Sequence, residues 1–306
     1  MTLTANDLIL HQYDLSPFSE KARLMMGFKG LDWHACIHST IMPKPELITL
    51  TGGYRQIPVL QLGADIYCGT ELIADELQRL KPEPSLFRAS GEGIGRGLAV
   101  WSDEALFWVI VEVVCGAGFE SCKDEAFNKD REEMLGTFDI AAKEAALPQN
   151  IVKLRAHLDL VERQLADGRP FLFGPLHDYA DFCLYHAIEF ISNARGGTER
   201  IVDDYPAISA WLPRVAANGH GRRHETTRET ALAVARAAAP VTVAQSTTPD
   251  GPQPGEKVRF RCWAPAGRDI EGELVVAAPR RFAIRRHDPD IGEVVVHLPR
   301  NAGDFV

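Results

Sequence analysis

Residues 8–30 read LILHQYDLSPFSEKARLMMGFKG, and this stretch sets the fold of the first third of the chain. Residues 8–13 (LILHQY) form a short apolar run of the kind that makes a buried strand. Ser16 is a favoured helix N-cap, and Pro17 suits the first helical position, where a missing N–H costs nothing. Ser19 and Glu20 fall in the first turn, where a carboxylate complements the helix dipole. Phe18, Ala22, Leu24, Met25 and Met26 give an apolar face that runs until Gly30 ends the helix.

Outward from this stretch the pattern continues. Residues 31–37 (LDWHACI) read as a second strand, and a loop rich in Pro, Thr and Gly follows through Gly52-Gly53-Tyr54. Residues 57–62 (IPVLQL) read as a third strand with Pro58 at its entry, where the absent N–H is tolerated. Gly63-Ala64-Asp65 turns into a fourth strand at 66–68, and Gly69-Thr70 opens a helix over 71–80, stopped by Lys81-Pro82-Glu83-Pro84. Strand–helix–strand, then a hairpin, then a helix is similar to a thioredoxin-like half.

From about residue 90 to 221 the periodicity is helical. Leu98, Trp101, Leu106, Trp108, Val109 and Val113 mark one helical stretch; Ile151, Leu154, Leu158, Val161 and Leu165 mark another. Asp178 and Asp181 fit a helix start, and residues 182–191 are apolar nearly all round, as a central buried helix would be. Residues 240–255 read as a linker. Beyond them the period becomes two: Val258, Phe260 and Cys262 alternate with Arg259, Arg261 and Trp263. Short strands at 274–277, 282–285 and 294–298 predict a small barrel or sandwich leaning on the main body. The expected domains are 1–84, 90–225, a helix and linker at 226–255, and 256–306.

The 306 residues are 45% hydrophobic and 25% charged, a globular composition, with a net charge of -9. Such a balance argues against a general nucleic-acid binder. The start of the chain lacks a basic region followed by an apolar core, so no secretory signal is expected, and no apolar run is long enough to span a membrane. Six scattered cysteines read as buried thiols in a reducing, cytoplasmic setting, with neither a disulfide framework nor a metal site expected. His220 and His224, with Gly221 and two arginines between them, read as a solvated tail.

Three motifs together resemble the cytosolic glutathione transferases: residues 16–23 (SPFSEKAR), residues 56–60 (QIPVL) and residues 67–74 (YCGTELIA). They stand in that family's order and spacing, and the resemblance covers roughly residues 7–220. It implies a fold of the α/β plus all-α type: a thioredoxin-like N-terminal domain and a glutathione-transferase-type helical bundle. The small C-terminal β-barrel-like domain lies outside the common family plan. The resemblance also implies roles. Ser16 matches the thiol-activating position, and Ile57, before a cis Pro58, matches the residue whose main chain pairs with the cysteinyl part of glutathione. Thr70 matches the hydroxyl that receives the γ-glutamyl carboxylate, with Gln56 and Glu71 beside these positions. The residue before that hydroxyl is usually acidic in the family; here it is Gly69. A homodimer is implied, with glutathione as co-substrate and no metal. Members that exchange disulfides carry Cys where this chain has Ser16, so that chemistry is not expected.

The chemistry is sufficient in principle. A thiol of pKa about 8.5 is about 3% ionised at pH 7, and lowering it by roughly two units needs about 2.7 kcal/mol. A hydroxyl donating to a charged sulfur supplies ~1.5–3 kcal/mol, and a helix N-terminus roughly 0.3–1 kcal/mol more. An apolar electrophile then needs an apolar wall, for which Tyr13, Trp101, Phe107 and Trp108 are the candidates. Two readings stand: a serine-type glutathione transferase, and a protein of the same fold that binds or interacts without catalysis, for which Gly69 and the added β-rich domain speak.

Overall fold

The structure is a computed structural model that describes residues 3–194, 197–241, 247–264 and 269–306; part of the 240–255 linker lies outside the described residues. The chain opens with β1 (Leu8–Gln12), α1 (Pro17–Phe28), β2 (Asp32–Ile37), α2 (Pro45–Thr51), β3 (Val59–Leu62), β4 (Asp65–Cys68) and α3 (Thr70–Leu80). β1 pairs in parallel with β2 and antiparallel with β3, and β3 pairs antiparallel with β4. Alternation along β1 sends Leu8 and Leu10 to the core under α1 and α3, and Ile9 to the opposite face. The α2 helix lies where the sequence reads as loop. Its signals are Pro45 in the first turn and Gly52, left-handed at φ 78°, as its stop.

The helical part comprises α4 (Glu92–Val100), a π-helical stretch (Trp101–Leu106), α5 (Phe107–Gly116), α6 (Glu125–Leu135), α7 (Ile140–Leu165), α8 (Tyr179–Asn193) and α9 (Pro206–Ala216). The α8 helix is the buried central one. Asp178 and Asp181 form the capping box at its start, and Asp181 also accepts from the Leu172 N–H (3.0 Å) and the Trp211 indole (2.8 Å). This domain and the inner face of the first sheet share one apolar core.

Residues read as a solvated tail instead form β5 (Arg222–Thr226), which pairs in parallel with β2. His220 bonds Glu20 at 2.8 Å, and His224 stacks on His34. Then come α10 (Arg228–Ala237), β6 (Lys257–Cys262), β7 (Ile270–Ala277), β8 (Arg281–Asp288), β9 (Gly292–Pro299) and β10 (Gly303–Phe305). The C-terminal β-rich domain is thus present, and its link to the body is closer than that of a separate barrel. Its strands run as a meander, and β9 pairs in parallel with β4, making one ten-stranded sheet, β10-β6-β7-β8-β9-β4-β3-β1-β2-β5. His297 on β9 bonds Asp65 at 3.1 Å and stacks on Tyr67, both on β4. No helix among the described residues is long and apolar enough to cross a membrane.

Candidate functional site

Strand register brings the three motifs to one end of the sheet. His11 on β1 lies opposite Val59 on β3, and Val59 lies opposite Cys68 on β4. The loop that leaves β1, residues 13–16, therefore neighbours the segment entering β3 and the residue leaving β4. The Gly69 N–H reaches the Pro58 carbonyl at 3.4 Å.

Ser16 caps α1. Its Oγ accepts from the Ser19 N–H at 3.2 Å, and its carbonyl accepts from the Glu20 N–H. As an acceptor in the cap, the hydroxyl keeps its own proton free to donate. Pro17 brings no N–H, so the Phe18 N–H is the first-turn donor left over by the cap among the described residues. The residue is 2% exposed, so its hydroxyl lies just beneath the surface, next to Leu15, which is 74% exposed. The loop is held from several sides. Ser16 N–H bonds the Tyr13 carbonyl at 3.1 Å, and Arg23 donates to the Asp14 carbonyl. The Asp14 carboxylate takes Arg223 at 2.8 Å, a bond that holds its carboxyl below the usual range. Burial alone would raise the Glu20 carboxyl in the first turn, but His220 and Arg23 outweigh it and keep Glu20 ionised. Ser19 is wholly buried, and its Oγ has no hydrogen-bond partner among the described residues.

Ile57 is half-buried and precedes a cis peptide bond to Pro58. The ladder begins at Val59, so the main chain of Ile57 stays outside it. Gln56 is exposed beside it. The residue before these, Arg55, belongs to a buried charge cluster that sequence reasoning missed. Asp130 on α6 pairs with Arg55, with Arg131 (2.8 Å) and with the Met42 N–H (2.8 Å). Lys44 is buried nearby, and burial moves its amine down to about 8 in spite of Asp130. Two arginines thus pair with one carboxylate near a third cation, and among the described residues the buried Nε groups of Arg55 and Arg131 and the Oδ2 of Asp130 have no hydrogen-bond partner. Arg55 could have been singled out because it abuts the QIPVL motif. The role of α6 was not legible, since its 75-residue separation from Arg55 is closed only by the fold.

Gly69 is the N-cap of α3, with φ 84° and ψ 153°, a conformation open to glycine. Thr70 is the first residue of α3 and is nearly buried. Glu71 turns toward the β-rich domain, where it pairs with Arg280 (3.2 Å), and toward α4, where Arg96 lies at 3.8 Å.

The aromatic candidates divide. Phe107 packs edge-on against Phe18, two residues beyond Ser16, with centroids 4.7 Å apart, and Trp108 packs on Phe107. Tyr13 is half-buried in the loop itself. Trp101 is placed apart: it lines an apolar cleft of about 310 Å³ with Leu98, Leu160, Leu172, Phe173 and Leu184. Six positions separate Trp101 from Phe107, which puts the two on different faces of a helix.

A thioredoxin-like domain followed by a helical domain, with a capped helix mouth beside a proline-entered strand, defines the architectural class. Residues 10–85 match the glutathione S-transferase N-terminal domain, and residues 144–214 match the glutathione S-transferase C-terminal domain. A GST-like protein from Pseudomonas syringae is 36% identical, with a TM-score of 0.81, over 98% of this chain and 99% of that one. The chain belongs to the glutathione S-transferase family. That coverage takes in the C-terminal β-rich domain, which the two proteins share. A glutathione S-transferase from Rhodospirillum rubrum F11 has a TM-score of 0.52 at 22% identity, over 69% of this chain and 88% of that one. A family member from Pseudomonas fluorescens, with two glutathione molecules bound, has a TM-score of 0.53 at 15% identity, over 70% and 89%. These two show the fold of the first two domains. No curated protein matches the chain.

Proposed function

We propose that the protein is a serine-type glutathione transferase that joins the glutathione thiolate to a small apolar electrophile. The observation that carries this reading is the Ser16 cap: its hydroxyl accepts from Ser19 and so retains a proton to donate, beside the unspent Phe18 N–H. Both donors favour an anionic sulfur. Ile57 offers main-chain groups outside the ladder, and Thr70 with the α3 N-terminus receives the γ-glutamyl carboxylate. The excess cation of Lys44, Arg55 and Arg131, with two buried N–H groups lacking acceptors, suits the second carboxylate of the tripeptide. Tyr13, Phe107 and Trp108 supply the apolar wall. The shallow burial of Ser16 requires a small opening of the loop, as ligand-free sites often do.

The second reading, a non-catalytic binding or interaction protein, is favoured by that same burial of Ser16, by Gly69 and by the engagement of Glu71 with Arg280. Retention on immobilised glutathione, followed by conjugation assays with a panel of aryl and alkyl electrophiles, separates the two. Ser16→Ala is expected to lower turnover about 10- to 100-fold, the loss of one hydrogen bond to a charged sulfur, while glutathione affinity stays within about threefold. Unchanged turnover would reduce Ser16 to a cap; no retention of the wild type at millimolar glutathione would favour the second reading. We also propose a cytoplasmic homodimer. The exposed Val100 and Leu160, beside the apolar cleft of Leu98 and Trp101 on α4 and α7, are a suitable face, and sedimentation measures it.

A further inference from the structure

On the sheet face away from α1, three side chains with ligand atoms converge in a wholly buried site. His11 projects from β1, Cys36 from β2, and His38 lies just beyond β2. His11 Nδ1 and His38 Nε2 are 2.9 Å apart, and Cys36 Sγ is 3.7 Å from the same His38 nitrogen. All three atoms lie within 4.8 Å of one another. A trigonal metal with bonds of about 2.0 Å to nitrogen and 2.3 Å to sulfur spaces its ligand atoms about 3.5–3.7 Å apart, so loading replaces the histidine–histidine hydrogen bond and parts the two imidazoles slightly.

The next layer fixes the tautomer. Gln61 Nε2 donates to the carbonyls of Gly63 (3.0 Å) and Ala231 (2.9 Å), so Gln61 Oε1 is the acceptor facing His11 Nε2 at 2.9 Å. His11 must then carry its proton on Nε2 and present a bare lone pair at Nδ1, toward the centre of the cluster. A ligating histidine held through its other nitrogen is the arrangement that orients metal sites. Among the described residues His38 Nδ1 is buried with no hydrogen-bond partner, so none of them holds a proton there or excludes one.

We propose that His11 Nδ1, Cys36 Sγ and His38 Nε2 form a three-coordinate site for a soft monovalent cation, copper(I). A thiolate and two imidazoles match its ligand preference, and a trigonal site satisfies it without a fourth donor. Charge selects it as well. One thiolate neutralises a monovalent ion within the site itself, while the surrounding charges, Lys44 and Arg228 against Glu46 and Glu229, offset one another. Zinc also prefers a fourth ligand, and Gln61 is spent on His11. On binding, the Cys36 S–H bond breaks, its proton leaves to solvent, and a Cu–S bond forms. The His38 proton moves from Nε2 to Nδ1. Binding requires the thiolate and two neutral imidazoles, so loading releases one proton. Because Ala231 on α10 is tied to Gln61, the loaded site would also fasten α10 to the sheet.

The test is an anaerobic titration of the full-length protein with copper(I) against a chromophoric copper(I) chelator, with X-ray absorption of the loaded wild type. Expected are one equivalent lost in both Cys36→Ser and His38→Gln, a higher melting temperature on loading, and a copper shell of one sulfur and two nitrogens. Copper held by the neighbouring Cys115 and Cys122 would show two sulfurs, so the donor set decides even where a variant folds poorly. No retention against the chelator, a shell without two nitrogens, or tighter binding of zinc(II) than copper(I) would each overturn the assignment.

Discussion

Arg280, at the start of the β7–β8 turn's far side, places its guanidinium 3.2 Å from Glu71 on α3, while Arg96 on α4 approaches the same carboxylate to 3.8 Å. Arg280 also reaches Asp75 (3.6 Å) and Glu92 (3.4 Å). One arginine of the C-terminal domain thus draws in acids from α3 and α4. Both guanidinium groups meet Glu71 at Oε1, which turns the carboxylate toward the C-terminal domain. Glu71→Gln is therefore expected to leave glutathione affinity within about twofold, measured by calorimetry. Exposed pairs of this kind contribute ~0–1 kcal/mol each, so Arg280→Ala should lower stability by about 1 kcal/mol or less. A tenfold loss of affinity in Glu71→Gln would restore Glu71 to the binding site.

Gly69 explains itself through its backbone. At φ 84° and ψ 153°, an L side chain is strained even though a Cβ would meet only Tyr54 Oη at 3.6 Å and Pro299 Cγ at 3.8 Å. Gly69→Ala is expected to cost about 1–3 kcal/mol in chemical denaturation. Gly69→Asp should cost a similar amount while tightening glutathione, if the missing acid is what limits affinity. The two titrations together separate strain from recognition.

Asp130 faces two buried cations, Lys44 and Arg55, and the partly buried Arg131, so its loss should be felt strongly. Asp130→Asn leaves Lys44, Arg55 and Arg131 without a countercharge and should cost about 3–5 kcal/mol. Added glutathione should recover part of the loss, because its carboxylate can take the vacated charge. Melting curves with and without millimolar glutathione check this, and equal shifts in wild type and variant would remove the cluster from the ligand site.

How much of this was legible in the sequence depended on range. Ser16-Pro17, Gly30 and the Asp178–Asp181 box act within one turn, so they marked helix ends correctly. The alternation at Val258, Phe260 and Cys262 marked a strand but not its partner. That β9 would join β4, or that β5 would join β2, depends on pairings with residues more than 180 positions away, which local pattern does not encode. The convergence of Arg55 with Asp130, and of His11 with Cys36 and His38, is hidden for the same reason. Trp101 and Phe107 look alike in a helical pattern; only the fold shows that Trp101 lines the apolar cleft and Phe107 packs on Phe18.

The buried histidines also set the acid limb of stability. In the metal-free chain, desolvation lowers His11 to about 4, partly opposed by its bond to Gln61, and lowers His38 to about 3. Unfolded, both titrate near about 6.5, so between that value and about 4 the unfolded chain binds up to two more protons than the folded one. Stability then rises with pH and falls on acidification, by about 1.4 kcal/mol per pH unit for each proton of difference. Asp181 acts in the opposite sense. Burial raises it to about 6 despite its hydrogen bonds, so the folded chain holds the extra proton between that value and its ordinary 3.8. Burial also lowers His34, His157, His177 and His186 and raises Glu189, so the histidines outnumber the acids that oppose them and the net effect is a loss of stability on acidification. Urea unfolding at pH 6.5, 5.5 and 4.5, with a chelator present, measures it. His38→Gln should flatten the fall and Asp181→Asn should steepen it. Equal slopes in wild type and His38→Gln would mean that His38 protonates as easily folded as unfolded, which its burial forbids.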